Sequence, residues 1–524
     1  MMRWKRGICG MVVAAAMACG CSQSPKAKEA KYLEKGKKEF QQKHYTVAVL
    51  HFKNAMEAQP QDAEPYYQLG LVYMAVSDPN TAAQYFLKAT ELNPKHTGAQ
   101  LKVAELMATS RSKEVLEEAQ KRSQEVLNLL PESVDALNVL AVTELRLGKP
   151  ENAEAHLEQA VQKAPADLRS SVALAQAKLV RKDVAGAEEV LKQAIAQAPK
   201  SPAPSVFLGG FYLAVGRTSD AEQQYRHALQ IDPKYGPALL ELAGMQARAG
   251  QAEQAERTYR QVSVLPDKQY RPIHALYLFQ SGNRDQAVAE FEKLVKADPE
   301  DRAVRTDLVS VYLSMNRIGD AVRVLTAALK KNELDTDALL QRSRIYLSSQ
   351  KYAEAEADLN QVLHFRSQSA EAHYLLSKVE FGRGRTGVQH QELAEALRLD
   401  PSYLPARVDL ARALISTGGA QSALEVVNQA PEEQRNAIAL LVQRNWALLA
   451  LGQIAEARKA VDELLAGGKI PDALLQDGIL KLNQKDYASS RALAEEVLKQ
   501  NPGDTRALTV LMQSYSVANQ MPAG

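Results

Sequence analysis

The sequence predicts an all-α protein, a right-handed α-solenoid of about fourteen helical hairpins finished by a closing helix. Three periodic ladders carry that prediction. Prolines recur at Pro60, Pro94, Pro131, Pro165, Pro199, Pro233, Pro266, Pro299, Pro401 and Pro502, in neighbouring steps of 33, 34 or 37 residues, and the wider gaps lie close to multiples of 34. In phase with them, Ala48, Ala82, Ala153, Ala187, Ala221, Ala255, Ala287, Ala321 and Ala355 fall twelve or so residues before each proline position. A third ladder of small residues, Gly36, Gly70, Ala141, Ala175, Gly209, Ala243 and Ala275, runs about twelve residues ahead of the second.

The first element is not part of the repeat. Arg3, Lys5 and Arg6 precede the apolar stretch ICGMVVAAAMA, which is too short to span a bilayer and has the length of a signal-peptide core. The following MACGCSQS resembles the lipobox at which bacterial signal peptides are cut and the new N-terminal cysteine is lipidated. Cys21, behind Gly20, fits that site; Cys19, behind Ala18, is the alternative, and the usual leucine three places earlier is Ala18 or Ala16 here. The expectation is a signal peptide over 1–20, a polar tether over 21–28, and a protein held to the membrane through its N-terminal lipid. Its place is then the bacterial cell envelope, facing the periplasm, with the outer membrane the expected anchor. Cys9 reads as a small apolar residue of the signal core. All three cysteines lie here, so the body is expected to hold no disulfide, no Cys-ligated zinc and no cysteine nucleophile.

Residues 29–504 form the array. In the second period Tyr66, Leu69, Gly70 and Tyr73 share one helical face, and Ala82, Phe86 and Ala89 share the facing one. Gly70 and Ala82 are small where the two helices must approach, Phe86 fills the space beyond, and Pro94 ends the second helix because it lacks an N–H and clashes with the preceding turn. The third period carries a three-residue insertion around SRSKEV, and the last two match more weakly. Over 505–524, Leu508, Leu511, Met512 and Tyr515 are spaced as a helix that covers the last apolar face. Period 34 with these small positions resembles the tetratricopeptide repeat.

Chemistry was sought along the same register. GRGRTG, from Gly382 to Gly387, spells a phosphate-loop fingerprint, but that loop must follow a strand and open a helix. Gly384 instead falls in register with Gly148, Gly216, Gly250, Gly282, Gly418 and Gly452, in the turn inside each hairpin, where glycine supplies φ > 0. The nine histidines are scattered without H-E-x-x-H or ligand spacing, and no G-x-S-x-G occurs. No enzyme activity, cofactor or metal is expected. Lys and Arg number 64 against 62 Asp and Glu, so no whole-protein basic field points to nucleic acid.

The resemblance implies a binding scaffold whose groove is lined by the fifth and ninth positions of each repeat. Those positions are small or apolar in the middle repeats, with Val206, Leu240 and Leu276 marking the groove. Further on, Arg344, Lys378 and Arg412 recur every 34 residues, beside Tyr374. Two readings of this basic ladder stand: a solvated row of charges, or a site for an acidic peptide or an acidic, uronic-acid-containing polysaccharide, with Tyr374 adding a stacking or hydrogen-bonding surface. The carboxylate clamp of chaperone-binding members, Lys at the fifth and Asn at the ninth position, is not reproduced by Leu33 with Lys37 or by Asn138 with Val142. Lipobox and long array together resemble the tetratricopeptide lipoproteins of exopolysaccharide and exosortase (PEP-CTERM) systems. The implied function is a noncatalytic envelope scaffold that binds envelope proteins and supports exopolysaccharide synthesis and export or protein sorting. The alternatives are a regulatory subunit of a membrane glycosyltransferase or processing enzyme, and an outer-membrane or pilus assembly lipoprotein.

Overall fold

A computed structural model describes residues 24–517. The signal segment, with Cys19 and Cys21, and the tail 518–524 lie outside the described residues. Two compact units divide the chain between His274 and Ala275. The first contains α1 (Pro25–Gln41), α2 (Tyr45–Ala58), α3 (Ala63–Ala75), α4 (Pro79–Leu92), α5 (Thr97–Met107), α6 (Lys113–Leu129), α7 (Val134–Arg146), α8 (Pro150–Lys163), α9 (Leu168–Val180), α10 (Val184–Gln197), α11 (Ala203–Ala214), α12 (Thr218–Ile231), α13 (Gly236–Arg248) and α14 (Ala252–Ser263). The second unit opens inside α15 (Ile273–Gln280) and continues through α16 (Arg284–Ala297), α17 (Arg302–Ser314), α18 (Ile318–Lys331), α19 (Thr336–Ser348), α20 (Tyr352–Phe365), α21 (Ala370–Gly382), α22 (Thr386–Leu399), α23 (Leu404–Ser416), α24 (Ala420–Asn428), α25 (Ile438–Ala450), α26 (Ile454–Ala466), α27 (Pro471–Asn483), α28 (Tyr487–Gln500) and α29 (Thr505–Val517). Among the described residues every regular element is helical, and successive helices pair into fourteen hairpins with α29 left over as the closing helix.

The elements start and stop for local reasons. Asp78, Ser112, Asp167 and Asp183 each accept a backbone N–H from the first turn of the helix that follows, satisfying donors that have no partner inside the helix. The turn inside thirteen of the hairpins contains one residue with positive φ: glycine at 148, 216, 250, 282, 384, 418 and 452, and Lys43, Ser77, Lys182, Asn316, Gln350 or Lys485 elsewhere. Gly384, with φ +71°, therefore sits between α21 and α22, and no strand precedes it.

Three boundaries depart from the periodic reading. The tether expected over 21–28 is already helical from Pro25, because Ser24 caps the Ala27 N–H and a proline suits the first helical position. The insertion in the third hairpin lengthens α6 to 17 residues, against 14 for α4 and α8. In the twelfth hairpin α24 has only nine residues, and the buried Arg407 donates to the Val426 carbonyl in its last turn and to the Pro401 carbonyl, each at 2.7 Å. Burial without a carboxylate holds that guanidinium below its ordinary pKa.

Within three hairpins of the first unit the core is a contact between a glycine and an aromatic ring. A Cβ placed on Gly36, Gly70 or Gly209 would lie 2.4, 2.4 or 2.5 Å from the ring of Phe52, Phe86 or Tyr225, closer than any side chain tolerates. Those three rings are fully buried.

Between hairpins, polar groups add to the seam. Glu64 of α3 accepts from Lys37 of α1 at 2.7 Å and meets His96, before α5, at 3.1 Å, so one carboxylate joins three successive hairpins. His96 Nδ1 accepts the Ala99 N–H, which leaves the hydrogen on Nε2 to donate to Glu64. The hydrogen bond from His96, with those from Lys37 and Gln68, outweighs burial and holds the Glu64 carboxyl down at about 2.

Two predictions follow from the turns and from this seam. Gly250→Ala should cost about 1 kcal/mol and Lys182→Gly should gain about 0.5–1 kcal/mol, since Gly250 has no neighbour a methyl would strike and only the positive φ distinguishes the residues; local hydrogen exchange reads both. A carboxyl whose pKa is depressed on folding stabilises above its unfolded value, near 4.5, and loses that contribution as pH falls toward 2. Exchange around residues 24–110, corrected for intrinsic rates, should therefore quicken between pH 5 and 2.5 more in the wild type than in Glu64→Gln. Equal acceleration in the two would separate Glu64 from acid lability.

Candidate functional site

The first helices of the hairpins present a wall in each unit. In the first unit, α3, α5, α7 and α9 line a cleft of about 600 Å³ that includes Tyr67, Leu101, Asn138, Val142, Arg146 and Arg169. Its polar groups are largely engaged: Asn138 donates to Asp167 and Ser170, Arg169 pairs with Asp135 at 2.6 Å, and Arg146 donates to the Thr109 and Ser110 carbonyls beyond the end of α5. Helices α9, α11 and α13 line a second cleft of about 360 Å³, walled by Val172, Gln176, Leu179, Val206, Phe207 and Gly210. Phe207 is 46% exposed there, and the space a Cβ on Gly210 would occupy is open.

Of the three apolar residues expected to mark the groove, Val206 lines this cleft. Leu240 is instead partly buried against the cluster of Leu239, Val262 and Leu265, and Leu276 packs in the second unit against the cluster containing Phe291 and Leu308.

The basic ladder falls wholly in the second unit, where Tyr374, Lys378 and Arg412 converge on one carboxylate. Asp409 of α23 accepts from Tyr374 Oη at 3.1 Å and from Arg412 Nη1 at 3.0 Å, and it also bonds the Lys378 ammonium. Lys378 Nζ lies 5.0 Å from the Tyr374 ring centroid, and Tyr374 packs against Tyr403 at 5.3 Å. Burial disfavours the Lys378 ammonium, but the bond to Asp409, that carboxylate's charge and Tyr374 together outweigh it and hold the lysine above its usual value. Burial together with the Asp409 charge pushes the Tyr374 phenol up. Arg344 is apart from this cluster and pairs with Glu371 of α21. The ladder is thus a set of cations already answered by carboxylates, Arg344 and Lys378 by the next first helix and Arg412 by its own.

One wall position was missed by reading charge alone. Trp446 continues the 34-residue series of Arg344, Lys378 and Arg412. Its indole N–H donates to Asp472 at 3.3 Å, Arg506 pairs with the same carboxylate at 2.8 Å, and the Arg506 guanidinium lies 5.5 Å from the indole ring. Arg412, Trp446, Asp472 and Arg506 line a cleft of about 500 Å³ with Ile415 and Gln443. A readable signal existed: Lys37 with Glu64 and Arg344 with Glu371 are each separated by 27 residues, the step from a ninth position to the second position of the next repeat.

Fold and walls together define a helical-hairpin repeat protein that offers its first-helix surfaces for binding. Family models described as tetratricopeptide repeat match residues 144–444 and 446–505, more than half of the chain, and the chain belongs to that family. Residues 20–168 also match the tetratricopeptide domain of cytochrome c-type biogenesis protein H. No curated protein matches the chain. Among solved structures, the APC/C hetero-tetramer Cut9-Hcn1 is similar with a TM-score of 0.37 at 14% identity, over 94% of this chain and 98% of that one. Pseudomonas aeruginosa pilF gives 0.34 at 16% identity over 43% and 99%, and a tetratricopeptide protein of Parabacteroides merdae gives 0.37 at 16% over 46% and 95%. Likenesses this distant carry no function across.

Asp409 is the testable centre of the ladder. Asp409→Asn should release two cations at once, so a fluorescent oligoglutamate peptide should bind the variant at least fivefold more tightly than the wild type, with a steeper salt dependence. Stability should fall by roughly 1 kcal/mol, as for a partly exposed pair. Equal oligoglutamate affinity in the two proteins would show that charge at this cluster does not govern recognition.

Proposed function

We propose that the protein is a noncatalytic scaffold of the bacterial cell envelope, lipid-anchored through Cys21, with Cys19 the alternative, that holds extended segments of partner proteins against its first-helix walls while an envelope machine is assembled. The observation that carries the reading is the apolar cleft of the first unit, where Val206 and the half-exposed Phe207 stand beside the open space at Gly210. An open apolar trough suits an extended peptide whose side chains supply the missing contacts. A single acyl chain binds membranes only marginally, whereas the several chains of a lipidated cysteine anchor stably.

The machine we favour is one for exopolysaccharide synthesis and export or for protein sorting, on the combination of lipobox and long array. A biogenesis role of another kind, in which the protein chaperones components of a different envelope assembly, is supported by the match of residues 20–168 to the cytochrome c-type biogenesis domain. Both readings share the scaffold and differ in the partner.

A photocrosslinking residue at position 207 should trap a discrete envelope partner, while the same residue at the exposed Arg226 on α12 should not. Val206→Asp with Phe207→Asp should reduce partner recovery by the full-length chain severalfold without unfolding it, and Cys21→Ser should move the protein from the membrane to the soluble fraction. Undiminished recovery by the double variant would remove the cleft from the function; retention of Cys21→Ser on membranes would remove the anchor at that cysteine.

A further inference from the structure

A fourth cleft lies away from the first-helix walls. In the second unit α16, α17 and α18 enclose a volume of about 580 Å³, larger than the apolar cleft of the first unit, whose lining comes mainly from second helices. Its floor is aliphatic, made by Val295, Leu308, Val324, Ala327 and Ala328. Around that floor stand five cations, Lys296, Arg305, Arg317, Arg323 and Lys331, against two carboxylates, Glu292 and Asp320.

The internal pairing leaves positive charge over. Asp320 is shared by Arg317, at 2.6 Å, and Arg323. Glu292 accepts the Tyr312 hydroxyl, over whose ring the Arg317 guanidinium lies at 4.6 Å. Lys296 and Lys331 are exposed at the ends of α16 and α18 and form no ion pair among the described residues. Arg305, at 2% exposure, has one terminal nitrogen 2.8 Å from Asp335, but its Nε is buried without a hydrogen-bond partner. A buried guanidinium N–H without an acceptor is costly, so the Asp335 pairing leaves Arg305 only partly satisfied at the edge of the cleft.

We propose that this cleft is a second binding site, for a short acidic segment of a partner protein that carries aliphatic side chains beside its carboxylates. The carboxylates answer the two unpaired lysines and the arginines that share Asp320, and the aliphatic groups cover Leu308, Val324 and the two alanines. The cleft is not an enclosed cavity, which suits a passing chain more than a buried small molecule. Complementary charge would also speed the encounter. The site uses none of the first-helix wall and stands whether or not the reading of those walls is correct.

The test uses the full-length protein and a fluorescein-labelled hexapeptide of sequence Glu-Leu-Asp-Leu-Glu-Leu, with a Gln/Asn counterpart as the neutral control. Fluorescence anisotropy should give saturable binding of the acidic peptide, at least tenfold tighter than the neutral one. Lys296→Glu with Lys331→Glu should weaken it at least tenfold, and so should Ala327→Trp, which fills the floor at an exposed alanine. Lys378→Ala with Arg412→Ala, in the wall cluster, should leave the affinity within twofold. Circular dichroism confirms that each variant is folded. Absence of saturable binding to the wild type, equal affinity for the neutral peptide, or an undiminished affinity in the folded Lys296→Glu, Lys331→Glu protein overturns the proposal.

Discussion

The distance at which the two helices of a hairpin meet is the constraint on which everything else depends. Where the first helix carries Gly36, Gly70 or Gly209, the second carries an aromatic ring that occupies the space a Cβ would take. Where the first carries Ala141 or Ala175, the second offers Leu157 or Leu191 in the same core cluster. Removing a methyl from one helix and adding an aromatic ring to the other keeps the local volume filled, and close-packed interiors tolerate volume-conserving exchange better than any net change. In these five hairpins the ladder of small residues is one half of a size code whose other half lies sixteen residues on, whereas Ala275 shares its cluster with the aromatic Phe291.

That code explains why the fold was legible and the site was not. Backbone constraints repeat with the chain: a proline that ends the second helix, a small residue at the contact, and a positive φ in the turn each fall once per period, and each is imposed by local sterics. The glycine of GRGRTG yielded to this logic because its φ is shared by six other glycines and, at matching places, by Lys43, Lys182 and Lys485. The first helix defied it at its start, since a serine cap and a proline lie outside the ladders. Side-chain partners obey no such repeat. Asp409 gathers Tyr374, Lys378 and Arg412 because the position in α23 that would answer Lys378 in register is Pro405, which has no charge to give, so a carboxylate one turn further on takes its place.

The neutralised ladder changes what the walls can recognise. A surface cation paired with a neighbouring carboxylate offers little net attraction to an acidic ligand, and the exposed pair itself contributes only about 0–1 kcal/mol. What such pairs do supply is register. Lys37 with Glu64, and Arg344 with Glu371, tie a first helix to the next first helix, and Glu64 reaches a third hairpin through His96. In a repeat array stability is close to a sum over units and nearest-neighbour interfaces, so links of this kind bear on interface terms that the apolar contact within a hairpin leaves untouched.

With charge engaged in cohesion along the walls, the recognition proposed for them rests on shape and apolar area. In the first unit this means the trough beside Phe207, and in the second the aromatic edge of Trp446, itself held in place by Asp472 and Arg506. Trp446 occupies the place in the period where its predecessors are Arg344, Lys378 and Arg412, so the wall passes from paired cation to aromatic ring at one register position. A solenoid can vary its ligand in this way because the residues that set helix approach and the residues that face the wall lie on different sides of the same first helix: Gly209 is fixed by Tyr225, while its neighbour Gly210 opens into the cleft. Substitution at the second is free to tune binding so long as the first is kept.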